Sequence, residues 1–162
     1  CTPQSPNCLF CPLSGSCRAL SEGKVQQLPV KQHRTKTTNR YFNYIYVRMG
    51  AHTLIHKRTE DDIWKNLFEL PLVETEKDLS EEEFLACPQF HALFAEGEVR
   101  MVRTLLRGVK HVLSHRVIYT NFYEVTLPDN SSSFSSYQRV AVEDLDRYAV
   151  PRLIHAFLEK YV

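Results

Sequence analysis

Four of the chain's five cysteines fall within its first seventeen residues, at Cys1, Cys8, Cys11 and Cys17, separated by six, two and five residues. So short a segment with so many thiols has little to fold around except something the thiols hold. Thiolates are preferred ligands of zinc and of clustered iron, and the Cys8-x-x-Cys11 pair lets one tight turn aim two sulfurs at the same ion. Four ligands suit either a structural zinc or a 4Fe–4S cluster, and ligand type alone leaves both open. Pro3, Pro6, Pro12 and Gly15 lie between the ligands, where fixed or permissive backbone angles help a short loop wrap a compact object. Two disulfides would require an oxidising compartment. The sequence shows no apolar signal segment and no run of about eighteen apolar residues, so a metal or cluster in a soluble, intracellular chain is expected.

The remainder is about the size of one ordinary domain: 162 residues with 43% hydrophobic content can bury a proper core beyond a short metal-bound head. A ligand cysteine at position 1, with no initiator Met, suggests the C-terminal piece of a longer protein. The net charge of +1 conceals a strong asymmetry. Residues 18–48 carry seven Lys or Arg, among them Arg18, Lys24 and Lys31, against the single acid Glu22. Residues 49–98 carry twelve acids against four bases, and residues 99–127 return to five bases against Glu124. A polyanion would meet the two basic segments and be repelled by the acidic one, so contact with DNA is favoured over mere solvation.

Strand signals dominate the first half of the second domain. Residues 41–49 are rich in aromatic and β-branched side chains, Gly50 supplies a turn, and residues 52–56 read as the antiparallel return strand of a hairpin. Residues 63–70, ending at Pro71, read as a further short element with Trp64, Leu67 and Phe68 in the core. Ser80 followed by Glu83 before Phe84 and Leu85 forms a capping-box pattern, so a helix should start there. Residues 110–127 read as a strand, a turn near Ser114 and a long strand that puts Val117, Tyr119, Tyr123 and Val125 on one face and Ile118 and Phe122 on the other. Arg100, Arg103 and Arg107 read as solvated surface. A last helix over residues 151–162 opens on Pro151 and repeats apolar residues at Leu153, Ile154, Phe157, Leu158 and Tyr161. The sum is an α+β fold, a mixed sheet flanked by two helices.

Such a fold suits a Nudix-type domain, and hydrolysis of a nucleotide pyrophosphate is one functional reading. That chemistry needs several carboxylates on one helix to hold Mg²⁺. The acid-rich stretch Glu74, Glu76, Asp78 and Glu81 to Glu83 lacks the Arg-Glu pair and closing Gly of the Nudix box, and it reads as a solvated helix start. Cys87 reads as a small buried hydrophobe. His52 and His56 have no third ligand beside them in sequence, and no metal is assigned there.

The spacing Cys1-x6-Cys8-x2-Cys11-x5-Cys17 resembles the iron-sulfur signature that ends the catalytic domain of helix-hairpin-helix DNA glycosylases. Beyond Cys17 the chain is similar to the adenine DNA glycosylases of the MutY type. Cys17-Arg18-Ala19 and Leu28-Pro29-Val30-Lys31 resemble that family's connector, and the Trp64 to Pro71 segment resembles its Trp-x-Gly-Leu-Trp-Glu-Phe-Pro stretch. Lys110 to His115 resembles its His-x-Phe-Ser-His motif, and Tyr148-Ala149-Val150-Pro151 its closing Tyr-Ala-x-Pro segment. The resemblance implies an iron-sulfur loop over residues 1–17, a basic linker over 18–39 and a Nudix-like lesion-recognition domain over 40–162. It implies a 4Fe–4S cluster on Cys1, Cys8, Cys11 and Cys17. With Cys1 at the chain end, a cluster that is lost, oxidised or replaced by zinc is an expected state of the head.

The function implied is DNA base-excision repair: removal of adenine mispaired with 8-oxoguanine by a catalytic domain N-terminal to Cys1, with the present residues recognising 8-oxoguanine and lacking catalytic groups of their own. The partners expected are duplex DNA with such mispairs and that N-terminal domain, in a monomer without membrane contact, in the bacterial cytoplasm at the nucleoid. A zinc-bound nucleic-acid binding module is the remaining alternative. Guanine shows an acceptor at N7, whereas 8-oxoguanine shows an N7–H donor and an O8 acceptor, and a serine hydroxyl meets either. By the family motif Ser114 faces the lesion's Hoogsteen edge, and His115 supports the turn or reaches a phosphate. From residues alone, Ser114 would instead bond its own backbone in a strand-to-strand turn. Leu113 stands where the family commonly has Phe, so a weaker lesion preference is expected. The loop between Cys1 and Cys8 contains no base, which leaves DNA contact there to backbone N–H groups or to Arg18 and Lys24.

Overall fold

The computed structural model describes residues 5–28 and 37–162; Cys1 and Lys31 lie outside the described residues. The chain divides into two compact units, residues 1–36 and 37–162. No described helix is long and apolar enough to cross a membrane.

The first unit is built from short-range backbone bonds. 3-10 turns at Cys8–Phe10 and Ser14–Ser16 lead into α1 (Arg18–Ser21). Gly23 ends α1 in the left-handed region at φ +64°, with Lys24 N–H donating to Ala19 C=O at 2.8 Å and Gly23 N–H to Leu20 C=O at 3.2 Å. This crossed pair satisfies carbonyls that a helix end leaves open, and glycine takes the required φ without a Cβ penalty. Part of the stretch expected as linker is therefore folded with the cysteine loop. No described residue of this unit is buried.

The second unit is a two-sheet sandwich. β1 (Thr38–Arg48) lies inside a four-stranded sheet ordered β4-β1-β6-β5, where β4 is Leu72–Thr75, β5 Met101–Val112 and β6 Arg116–Thr126. β1 runs parallel to β6 and antiparallel to β4. The smaller sheet is ordered β3-β2-β7, from Phe68–Glu69, His52–Lys57 and Gln138–Ala141. β1 is packed on both faces, so residues 42–47 are buried without a break. On one face Phe42, Tyr44 and Tyr46 join Ile55, Val140, Ile118 and Phe122 under α4 (Arg152–Tyr161). On the other, Ile45 and Val47 join Val73, Tyr123 and Val125 under Phe84 and Phe90 of α2 (Glu81–Leu85) and α3 (Pro88–His91). Aromatic stacking welds the first face: Tyr44 to Phe122 at 5.6 Å, and Phe122 to Phe157 at 4.1 Å between ring centroids.

Several local expectations hold and several need correction. The capping box is formed in both directions, Glu83 N–H to Ser80 Oγ at 3.1 Å and Ser80 N–H to the Glu83 carboxylate at 2.8 Å. The 41–56 hairpin is not formed: β1 and β2 share a single bridge at Met49 and His52 and then part into different sheets. The reason is that β4 and β6 already occupy both edges of β1. Between 63 and 70 only Phe68–Glu69 is strand, because Trp64 and Asn66 take positive φ and turn the chain. Trp64 and Phe68 pack on the core, whereas Leu67 belongs to neither cluster and Leu70 takes the buried place. The last helix begins one residue late, with Pro151 as its N-cap. Cys87 is a half-buried free thiol against the second cluster.

Candidate nucleic-acid interface

The β5–β6 hairpin presents the residues singled out near position 114. Leu113 N–H donates to Arg116 C=O at 2.8 Å and closes the turn, and Thr38 N–H at the start of β1 donates to His115 C=O at 3.1 Å. Ser114 and His115 are exposed at the tip. The backbone is thus pinned from two strands while the side chains point outward. Neither the Ser114 hydroxyl nor the N–H groups of Ser114 and His115 have a hydrogen-bond partner among the described residues. Leu113 is half-buried against the larger core cluster, and the exposed apolar side chain of the tip is Val112, at 65%. Sequence reasoning passed over Val112; its place next to a turn on the outward phase of the strand was the available signal.

β5 reaches the tip through two register breaks, between Thr104 and Leu106 and between Leu106 and Val109, with Gly108 at φ +68°. Bulges of this kind bend a strand and sharpen its twist. A ladder of buried amides fixes the bend. Gly108 N–H donates to Asn121 Oδ1 at 2.9 Å, Asn121 Nδ2 to Asn43 Oδ1 at 3.1 Å, and Asn43 Nδ2 to Val73 C=O at 3.2 Å. It crosses all four strands of the larger sheet.

Charge gathers behind the turn around Asp62. Its carboxylate accepts from Arg116, from Arg40 Nη1 at 2.5 Å and from Arg58 Nη2 at 3.3 Å. Burial pushes the Asp62 carboxyl up, but the bonds from Arg116 and Arg40 outweigh it and hold the group well below the usual carboxylate range. Arg40 also grips Glu74 with two bonds of 2.6 Å. Arg58 Nη1 donates to both oxygens of buried Glu69 at 2.9 and 2.8 Å, and the Tyr44 hydroxyl donates to Glu69 at 2.9 Å. Burial first, and then the adjacent Glu69 carboxylate, raise the Tyr44 phenol well above its ordinary value. The Trp64 to Pro71 segment therefore supplies a buried anion as well as core. Arg116, two residues beyond Ser114, is tied to a scaffold rather than to solvent.

In the first unit Cys8, Cys11 and Cys17 are free thiols lining one concavity of about 440 Å³. The donor chemistry fits a thiolate-held group, and Cys1 lies outside the described residues. Among the described residues no three His, Cys, Asp or Glu side chains converge as a metal site. Arg18 and Lys24 share the single acid Glu22, at 2.5 and 2.8 Å. The thiols and the turn lie on different units, each with its own basic residues.

The NUDIX domain family profile matches residues 43–160, and the chain belongs to that family. Along 99% of its length it is similar to an adenine DNA glycosylase of Buchnera aphidicola subsp. Acyrthosiphon pisum, at 24% identity over 164 aligned positions covering 44% of that relative. A 75-residue stretch, 46% of the chain, is 33% identical to 22% of the adenine DNA glycosylase of the Schizaphis graminum subspecies. The chain thus spans less than half the length of the curated relatives it matches. Among solved structures, the C-terminal domain of mouse MUTYH, crystallised with human PCNA, matches with a TM-score of 0.60 at 14% identity, over 75% of this chain and 86% of that one. That likeness is one of fold.

Proposed function

We propose that this chain is the lesion-recognising part of an adenine DNA glycosylase of the MutY type, acting in base-excision repair on adenine opposite 8-oxoguanine. The observation that carries the reading is the β5–β6 turn, an anchored backbone with a free hydroxyl and two free N–H groups at one exposed point. Those are the groups an 8-oxoguanine Hoogsteen edge needs. Ser114 Oγ accepts from N7–H, and a turn N–H donates to O8. Guanine has only C8–H in place of O8, so that second bond is lost. Each such bond contributes about 1 kcal/mol, or about five-fold in affinity. The similarity to adenine DNA glycosylases along the whole chain supports the reading.

The glycosidic chemistry belongs on this reading to a catalytic domain preceding the cysteine loop, and the present residues are inactive alone. Cys8, Cys11 and Cys17 together with Cys1 would hold a 4Fe–4S cluster, whose contribution is to order the loop that carries Arg18 and Lys24 near phosphate. Nucleotide hydrolysis draws less support, because Glu83 is committed to the capping box and to Lys77. The test is binding to duplexes with 8-oxoguanine or guanine opposite an uncleavable adenine analogue. The unsubstituted chain is expected to prefer the oxidised duplex, and Ser114→Ala to lose about five-fold in affinity for it with an unchanged melting temperature. Equal affinity for the two duplexes before any substitution sinks the reading.

A further inference from the structure

One face of the larger sheet is only half covered. Cross-strand register places Tyr41 of β1 opposite Tyr119 of β6, and Tyr119 opposite Lys110 of β5, so these three side chains share a face and form a row across the sheet. The next row toward the turn holds Asn39, Val117 and Val112 on the same face. α2 and α3 cover this face further along, over Ile45, Val47, Tyr123 and Val125. Tyr41, Tyr119, Val117 and Val112 belong to neither hydrophobic cluster. The uncovered strip therefore begins at the Ser114 turn and stops at the buried Asn43–Asn121 amides.

Its chemistry is specific. The Tyr41 and Tyr119 rings stand side by side, 5.5 Å between centroids and 17° apart, with the Lys110 ammonium 5.9 Å from the Tyr119 ring centre. Rings stacked in this way across a sheet present edges rather than faces outward, so the strip offers phenolic hydroxyls and not a stacking surface for a base. Neither hydroxyl has a hydrogen-bond partner among the described residues. Two hydroxyl donors and one ammonium match the oxygens of a phosphodiester, while the flanking valines suit a deoxyribose. Asp78 lies one row further in, bonded to Asn121 at 3.3 Å, and its charge sets the inner limit of an anion's path.

We propose that this strip carries the sugar–phosphate backbone of a DNA strand running beside the 113–116 turn, with Lys110 and the Tyr41 and Tyr119 hydroxyls on its phosphates. The proposal deepens the reading of the turn and rests on it for the ligand. Phosphate contacts position a strand without reading its sequence, so the strip sets affinity and the turn sets preference.

The full chain is titrated with duplexes containing 8-oxoguanine or guanine across a range of salt. Lys110→Met is expected to weaken binding to both duplexes equally and to reduce the slope of log affinity against log salt by about one. Tyr41→Phe and Tyr119→Phe each remove one oxygen and are expected to cost about five-fold on both duplexes, with an unchanged melting temperature. The ratio between the two duplexes should stay at its unsubstituted value in all three variants. Unchanged affinity and slope in all three would overturn the proposal and leave the strip as a protein-facing surface. A changed ratio would overturn it too, since the strip would then read the base. Equal affinity of the unsubstituted chain for both duplexes defeats the turn reading alone, whereas no binding to any duplex defeats both.

Discussion

The cysteine head and the sandwich domain differ in what they bury. Residues 5–28 bury nothing, and Leu9, Phe10 and Leu13 stand 92, 83 and 67% exposed. Residues 37–162 bury two separate clusters, one on each face of the larger sheet. Segments below about 40 residues rarely build a sufficient core, and metals are a usual substitute. The difference teaches that the domain carries a core of its own, whereas on the proposed reading the head's order comes from the group its thiols would hold.

The strongest way to break that contrast is to remove a core ring. Phe122→Ala deletes the ring stacked between Tyr44 and Phe157, and an expected loss of about 3–5 kcal/mol should appear in the urea midpoint of the domain. Glu69→Gln comes next. It leaves the buried Arg58 charge with only its longer contact to Asp62, at a cost of about 3 kcal/mol, and the double replacement Arg58→Leu with Glu69→Leu should cost less than the single one.

Acid tests a smaller effect. Asp62 titrates in the folded domain below its unfolded value of about 4. Its contribution is therefore complete above that unfolded value and is lost as pH falls through the folded one. The urea midpoint should drop on acidification below about pH 4, and Asp62→Asn should flatten that limb. The smallest effect expected is the most telling for the contrast. Cys8→Ser should leave the domain's midpoint unmoved while abolishing iron or zinc uptake and the metal's protection of the head from proteolysis. A shifted midpoint would show that the units share stability after all.

Local signals were readable directly. The Ser80–Glu83 capping box, the turn near Ser114 and the faces of β6 depend on residues a few positions apart, and each forms as its pattern implies. The first half of β5 was not legible as strand, because bulges around Leu106 and Gly108 interrupt the two-residue alternation. Trp64 looked like part of a regular element, yet at φ +59° it turns the chain and still packs on the core. The turn was visible in sequence, but its support was not. Arg116 meets Asp62 across 54 positions, and Arg40 meets it across 22.

From sequence alone came the clustered thiols, the α+β composition, the basic segments and the serine turn, all features written in short spacings or residue type. Tertiary structure decided which strand edges were free, and with them the fate of the expected hairpin. It also decided that three arginines converge on Asp62 and that Tyr41, Tyr119 and Lys110 form one row. Those outcomes depend on strand order and register. Both are settled by burying two faces of β1 at once, a choice made over the whole domain rather than within any short window of the chain.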